Sequence, residues 1–117
     1  MQSLDLGSNK LSELPAEVFS GLGRLQQLDL HYNSLSELPA EVFSGLSSLQ
    51  QLSLRGNDLS ELPVGVFSGL GNLQKLGLAK NRLNEMPVEI WADLFAGLGN
   101  LQVLCLAAGQ QAQRIAC

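Results

Sequence analysis

Leucines separated by a single small or polar residue recur along this chain as Leu4-x-Leu6, Leu28-x-Leu30, Leu52-x-Leu54 and Leu76-x-Leu78. Alternation with a period of two predicts short strands that turn their leucines to one side. Each pair is followed by an asparagine (Asn9, Asn33, Asn57, Asn81) and then by Leu11, Leu35, Leu59 and Leu83. Further on come Pro15, Pro39, Pro63 and Pro87, then Phe19, Phe43, Phe67 and Phe95, and last Leu22, Leu46, Leu70 and Leu98. The pattern L-x-x-L-x-L-x-x-N-x-L-x-x-L-P-x-x-x-F-x-x-L divides the chain into units 1–24, 25–48, 49–72 and 73–100, a partial unit 101–106, and a tail 107–117.

Self-similarity at a fixed period of this length is the mark of a stacked coil, in which each unit buries its apolar side only against its neighbours. The expected fold is an α/β solenoid, a right-handed coil with a short parallel sheet on its concave face and an irregular or short-helical convex side. Each asparagine stands where the chain bends off its strand, and its amide can pair turn groups that would otherwise be buried without partners. The prolines fix φ where the chain turns along the convex side, and the four phenylalanines supply the bulk of the core. Unit four carries extra residues over Val88–Phe95, with Trp91 and Phe95 each falling on the phenylalanine position, depending on the end counted from. Four residues make close to one helical turn. Pro87 suits a first helical turn, so Val88–Phe95 is predicted to be a helix with Ile90, Trp91, Leu94 and Phe95 on one face. Trp91 has two readings, core filling and exposed interface anchor.

These residues resemble the typical 24-residue class of leucine-rich repeats, and the L-P-x-x-V-F-x-x-L stretch is similar to the modules of jawless-vertebrate variable lymphocyte receptors. Similar repeats occur in Toll-like and Slit-like ectodomains. The resemblance runs from residue 1 to about residue 106 and implies extracellular protein recognition by the concave sheet. Two features depart from the family pattern: no cysteine-bearing cap precedes the first unit, and no cysteine-rich cap follows the last.

The first three units also differ from one another in a telling way. Six positions per unit (2, 3, 5, 7, 8 and 10) are predicted to face outward on or beside the strand, and five of the six vary; of the fifteen others outside the Leu-x-Leu pair and the Asn, only five vary. Drift at unconstrained solvent positions is the bland explanation. Against it, Glu13, Glu37, Glu61 and Glu85 are equally predicted to be exposed yet are the same in every unit. Variation gathers where a ligand would touch, and the expected partner-binding set is Asp5, Gln27, Asp29, His31, Tyr32, Gln51, Arg55, Lys75, Lys80 and Arg82.

Net charge is −4. Positions 2 to 10 carry five bases against three acids, and the remaining surface carries eight acids against Arg24 and Arg114. The concave face thus runs from acidic at unit one to basic at unit four, which can steer an oppositely graded partner. The overall balance speaks against nucleic acid. No apolar run is long enough for a membrane-inserted helix.

Catalytic, metal and cofactor chemistry is not expected. His31 is the single histidine, and with the two tail cysteines Cys105 and Cys117, expected as free thiols, it makes no metal set. Asp29, His31 and Ser53 can be drawn as a triad, but an open shallow sheet supplies no water-excluding pocket or oxyanion donors. The leading expectation is a non-catalytic protein-recognition module. A structural or consensus-engineered repeat scaffold without a ligand, or a fragment of a larger receptor, fits the same repeats. Unit one has no predecessor, so Met1, Leu4 and Leu11 are candidate self-association residues, as is Trp91 in its exposed reading, and pairing of the open N-terminal end with another copy would give a homodimer. The compartment is open: extracellular by the resemblance, cytoplasmic if Met1 is the true start, since no basic-then-apolar signal follows it.

Overall fold

The computed structural model describes residues 2–106. Strands β1 (Ser3–Asp5), β2 (Gln27–Asp29), β3 (Gln51–Ser53), β4 (Lys75–Gly77) and β5 (Val103–Cys105) form one parallel sheet in chain order. Leu4, Leu28, Leu52, Leu76 and Leu104 stand opposite one another across it. Parallel neighbours require a long crossover, and here the rest of each unit is that crossover. The strands are brief because only the central leucine and the one two residues later turn inward. In the inner units both are buried, as in Leu28/Leu30 and Leu52/Leu54, whereas Leu4, Leu6, Leu104 and Leu106 at the two ends are half-buried.

The chain leaves each strand through a left-handed residue at the eighth position: Ser8, Tyr32, Gly56 and Lys80 have φ of 59°, 53°, 76° and 58°. A side chain in this region costs about 1–2 kcal/mol, so neighbouring bonds must hold the bend in place. The next residue, the asparagine, supplies them. Asn33 accepts the amides of Asn9 and Leu11 on Oδ1 and donates from Nδ2 to the Leu6 and Leu30 carbonyls. One and two units on, Asn57 and Asn81 each accept one amide, of Leu35 and Leu59, and donate to the matching carbonyls in the same way. Among the described residues no buried side-chain nitrogen or oxygen lacks a partner.

On the return side of units one to three the chain makes a run of turns rather than a helix, in which the carbonyls of Pro15, Pro39 and Pro63 accept the amides of Val18, Val42 and Val66. Phe19, Phe43 and Phe67 lie beneath as a column of near-parallel rings, 6.3 and 6.4 Å apart. Unit four differs. A short 3-10 turn (Leu83–Glu85) precedes α1 (Val88–Phe95), which takes up the extra residues so that β4 and β5 stay in leucine-to-leucine register despite the longer crossover. Pro87 stands at the N-cap, one residue before the helix, because its ψ of 152° is extended.

Two expectations are corrected. Phe95 does not continue the phenylalanine column: it is half-buried and pairs with Trp91 at 5.4 Å, and Leu94 takes the buried place. Ile90 and Trp91 likewise lie half-buried against the core. The cause is the helix itself, which brings Leu94 rather than Phe95 to its buried side. Cys105 is no free thiol but buried and disulfide-bonded. The tail expected as a makeshift cap, Cys117 and Met1 lie outside the described residues. No described helix is long and apolar enough to cross a membrane.

Candidate functional site

Because the leucines of each strand point inward, the residues on either side of them must point out, and the solenoid lines these up as rows. The third position gives Ser3, Gln27, Gln51, Lys75 and Val103, and the fifth gives Asp5, Asp29, Ser53, Gly77 and Cys105. Two further rows lie just past the strands, Gly7, His31, Arg55 and Ala79, then Ser8, Tyr32, Gly56 and Lys80.

A depression of about 410 Å³ opens on this face over β2 to β5. Gln27, Asp29, Gln51, Arg55 and Lys75 from the expected set line it. Ser53, Gly77, Ala79 and Cys105 also line it and were not in that set. The sequence did carry a sign of them: side chains shrink along the fifth row from Asp29 to Ser53 to Gly77, the seventh row drops from Arg55 to Ala79, and small residues on an outward row scoop the surface. Asp5, His31, Tyr32, Lys80 and Arg82 lie off the depression. Arg82 is past the bend, with its amide on the Leu59 carbonyl. Acids on β1 and β2 (Asp5, Asp29) face bases further along (Arg55, Lys75), so the expected gradient is present on the surface.

His31 and Tyr32 are each seated on a glycine of a neighbouring unit. A Cβ on Gly7 would collide with the His31 imidazole, and one on Gly56 with the Tyr32 ring. Tyr32 is 47% exposed, packs edge-on to His31 at 5.5 Å, and accepts a hydrogen bond on its hydroxyl from Arg55 Nε at 3.1 Å. The Arg55 guanidinium also lies 6.0 Å from the ring centre, the outer limit of a cation–π contact. A large aromatic is thereby held in place while most of one side stays open to a partner.

The fifth-row side chains have a local task as well. Asp5 accepts the Gly7 amide at 2.8 Å, Asp29 the His31 amide at 3.0 Å, and Ser53 Oγ the Arg55 amide at 3.5 Å. Asp29 also meets the His31 Nδ1. Ser53 makes no hydrogen bond to His31 among the described residues, so only the Asp–His half of the drawn triad is in place. Asp5, Asp29 and His31 form a cluster whose ligand-type atoms all lie within 4.8 Å of one another. Counting histidines and cysteines missed it, although Asp5 and Asp29 share one row of the repeat.

Of the candidate self-association residues that are described, Trp91 lies apart from Leu4 and Leu11. Leu4 and Leu11 are half-buried at the β1 end, and Trp91 is on α1, next to the β5 end. Glu13, Glu37 and Glu61 are exposed, as expected.

The model of the leucine rich repeat family matches residues 1–59. Among solved structures, the chain is similar to one in the Toll–Spatzle complex of Drosophila, at 30% identity and a TM-score of 0.78, covering 92% of this chain and 14% of that one. It is similar to the leucine-rich repeat domain of APL1B, at 30% identity and a TM-score of 0.83, covering 90% of this chain and 31% of that one. It is also similar to a chain of the TLR13–ssRNA13 complex, at 33% identity and a TM-score of 0.81, covering 90% and 14%. The chain therefore spans less than a third of the length of each of these. No curated protein sequence matches it. With the family model over more than half its length, a continuous leucine-lined parallel sheet and an asparagine at every bend, the chain belongs to the leucine-rich repeat family.

Proposed function

We propose that this chain is a non-catalytic recognition module, acting outside the cell, that holds a protein partner against the open face of its sheet. The observation that carries the reading is the contrast between faces: units repeat one another on the core and convex sides and diverge on the outward rows, where Gln27, Asp29, Gln51, Arg55 and Lys75 share one depression. The similar structures support it in kind, since one is a chain of the Toll–Spatzle complex. The other complex holds a single-stranded RNA, and charge favours protein here, because the net charge is −4 and the bases of the outward rows are interrupted by acids rather than gathered into a basic patch. The partner's complementary surface is basic against β1 and β2 and acidic against β3 and β4. Five strands give a face of about 500 Å², below the roughly 800 Å² per partner of a standard interface, so the chain acts beside further repeats or binds with modest affinity.

The test is capture from extracellular fluid on the immobilised chain, followed by affinity measurement with the captured protein. A triple variant, Tyr32→Ala with Arg55→Ala and Lys80→Ala, is expected to bind at least about 30-fold more weakly, the loss of one aromatic or arginine anchor. A convex variant, Glu37→Ala with Glu61→Ala, is expected to bind as the parent does. Retention by the triple variant, equal loss in the convex one, or capture of RNA instead of protein would overturn the reading.

A further inference from the structure

We propose that Asp5, Asp29 and His31 form a binding site for a single divalent metal ion of the zinc class, on the sheet face where units one and two meet. The donor set is mixed, two carboxylates and an imidazole, and its atoms lie within 4.8 Å of one another. Zinc holds such oxygen and nitrogen donors at about 2.0–2.2 Å, which sets tetrahedral donors roughly 3.4 Å apart, so side-chain rotations of about 1 Å would close the site.

Two features built into the chain favour an ion there. Asp5 and Asp29 are directly opposed partners of adjacent strands, and like charges so placed repel one another. Among the described residues Asp29 pairs with His31, and Asp5 has no ion-pair partner there. A divalent cation between the two carboxylates would turn that repulsion into attraction. The second feature is Gly7. Its missing Cβ leaves the space the imidazole occupies, and a methyl group there would collide with the ring. The glycine therefore lets a histidine of β2's unit lean across to the carboxylate of β1's unit. The same rows read Ser53 and Arg55 in unit three and Gly77 and Ala79 in unit four, so the donor trio occurs once.

The protein also leaves ligand capacity on these residues. One oxygen of Asp5 caps the Gly7 amide and one of Asp29 caps the His31 amide, and the second oxygen of each is available to a metal. Three protein donors leave the remaining coordination positions to water or to a donor from a bound molecule. Calcium, which takes six to eight oxygens, is poorly served by so few.

Titration of the full oxidised chain with zinc chloride, followed by calorimetry and amide NMR, decides the matter without any partner. The expected result is one zinc per chain, with shifts centred on Gly7, His31 and their neighbours and no comparable response to calcium. Asp5→Asn keeps an oxygen to cap the Gly7 amide, and His31→Gln keeps the backbone bonds. Each is expected to weaken zinc at least about tenfold. Gly7→Ala retains all three donors but removes the ring's seat, and is expected to weaken it likewise, with the circular dichroism of all three variants unchanged. Absence of saturable zinc binding, or undiminished binding in any of these variants, would overturn the proposal.

Discussion

Asn57→Ala is expected to lower the unfolding free energy by about 3 kcal/mol, while Asn9→Ala, the same change at the same place in the repeat, lowers it by about 1 kcal/mol or less. The difference lies in the groups each amide joins. Asn57 is 6% exposed; its Oδ1 accepts the Leu35 amide and its Nδ2 donates to the Leu30 and Leu54 carbonyls. Removing it orphans the Leu35 amide inside the stack. The two carbonyls suffer less, because Leu30 also accepts from Asn33 and Leu54 from Asn81. One buried donor without a partner, two carbonyls left with one bond each, and a small void together give the figure. Asn9 is exposed, with a single side-chain bond, to Leu6. Urea denaturation of the two variants beside the parent checks this. Equal losses would mean that the amides do not link successive units.

The second large effect lies in the ring column. Phe43→Ala is expected to cost about 4–5 kcal/mol, the upper range for emptying a buried phenylalanine site. Phe43 is fully buried, with Phe19 on one side and Phe67 on the other, so its loss strips a ring contact from both neighbours. Since units in a solenoid meet only their neighbours, a void in the middle of the column has nothing else to collapse onto it. Phe95→Ala should cost about 1–2 kcal/mol, because that ring is half-buried and touches Trp91 rather than the column. Against a total of about 5–15 kcal/mol for an ordinary domain, the first change removes a large part of the stability. Thermal unfolding of both variants measures it, and a Phe95 loss as large as that of Phe43 would contradict the packing described.

The physical basis of these effects shows why much of the fold was legible in the residues themselves. A leucine that must meet the same leucine of the next unit cannot drift, so the period declares the strand register directly. The helix of unit four was legible for the same reason, as the extra residues had to be stored somewhere between two strands that stay in register. The place of Phe95 was not, because the helix brings Leu94 rather than Phe95 to its buried side, and the pattern of unit four puts both on one face. Nor was the left-handed bend. Gly56 alone hints at it, while Ser8, Tyr32 and Lys80 occupy the same conformation under side chains that do not advertise it.

The candidate site was legible in its rows and less so in its shape. Repeat arithmetic placed Gln27, Gln51 and Lys75 side by side, but the depression comes from side chains that are missing or small, at Gly77, Ala79 and Ser53. A search for large or charged residues passes over them. His31 and Tyr32 show the complementary case. They are seated by an absent methyl group on Gly7 and on Gly56, and a glycine's service to a neighbour two dozen residues away is invisible until the units are stacked.

Amide hydrogen exchange resolved by residue tests the stacked coil most directly. The amides of Leu30, Leu54 and Leu78 donate across the sheet to Ser53, Gly77 and Cys105, and these three, one repeat apart, are expected among the slowest to exchange. The amides of the exposed turns, such as Ser20 and Ser44, should exchange early. Slow exchange instead in unbroken runs through residues 11–22 and 35–46, as packed helices give, with rapid exchange at the three leucines, would contradict the account.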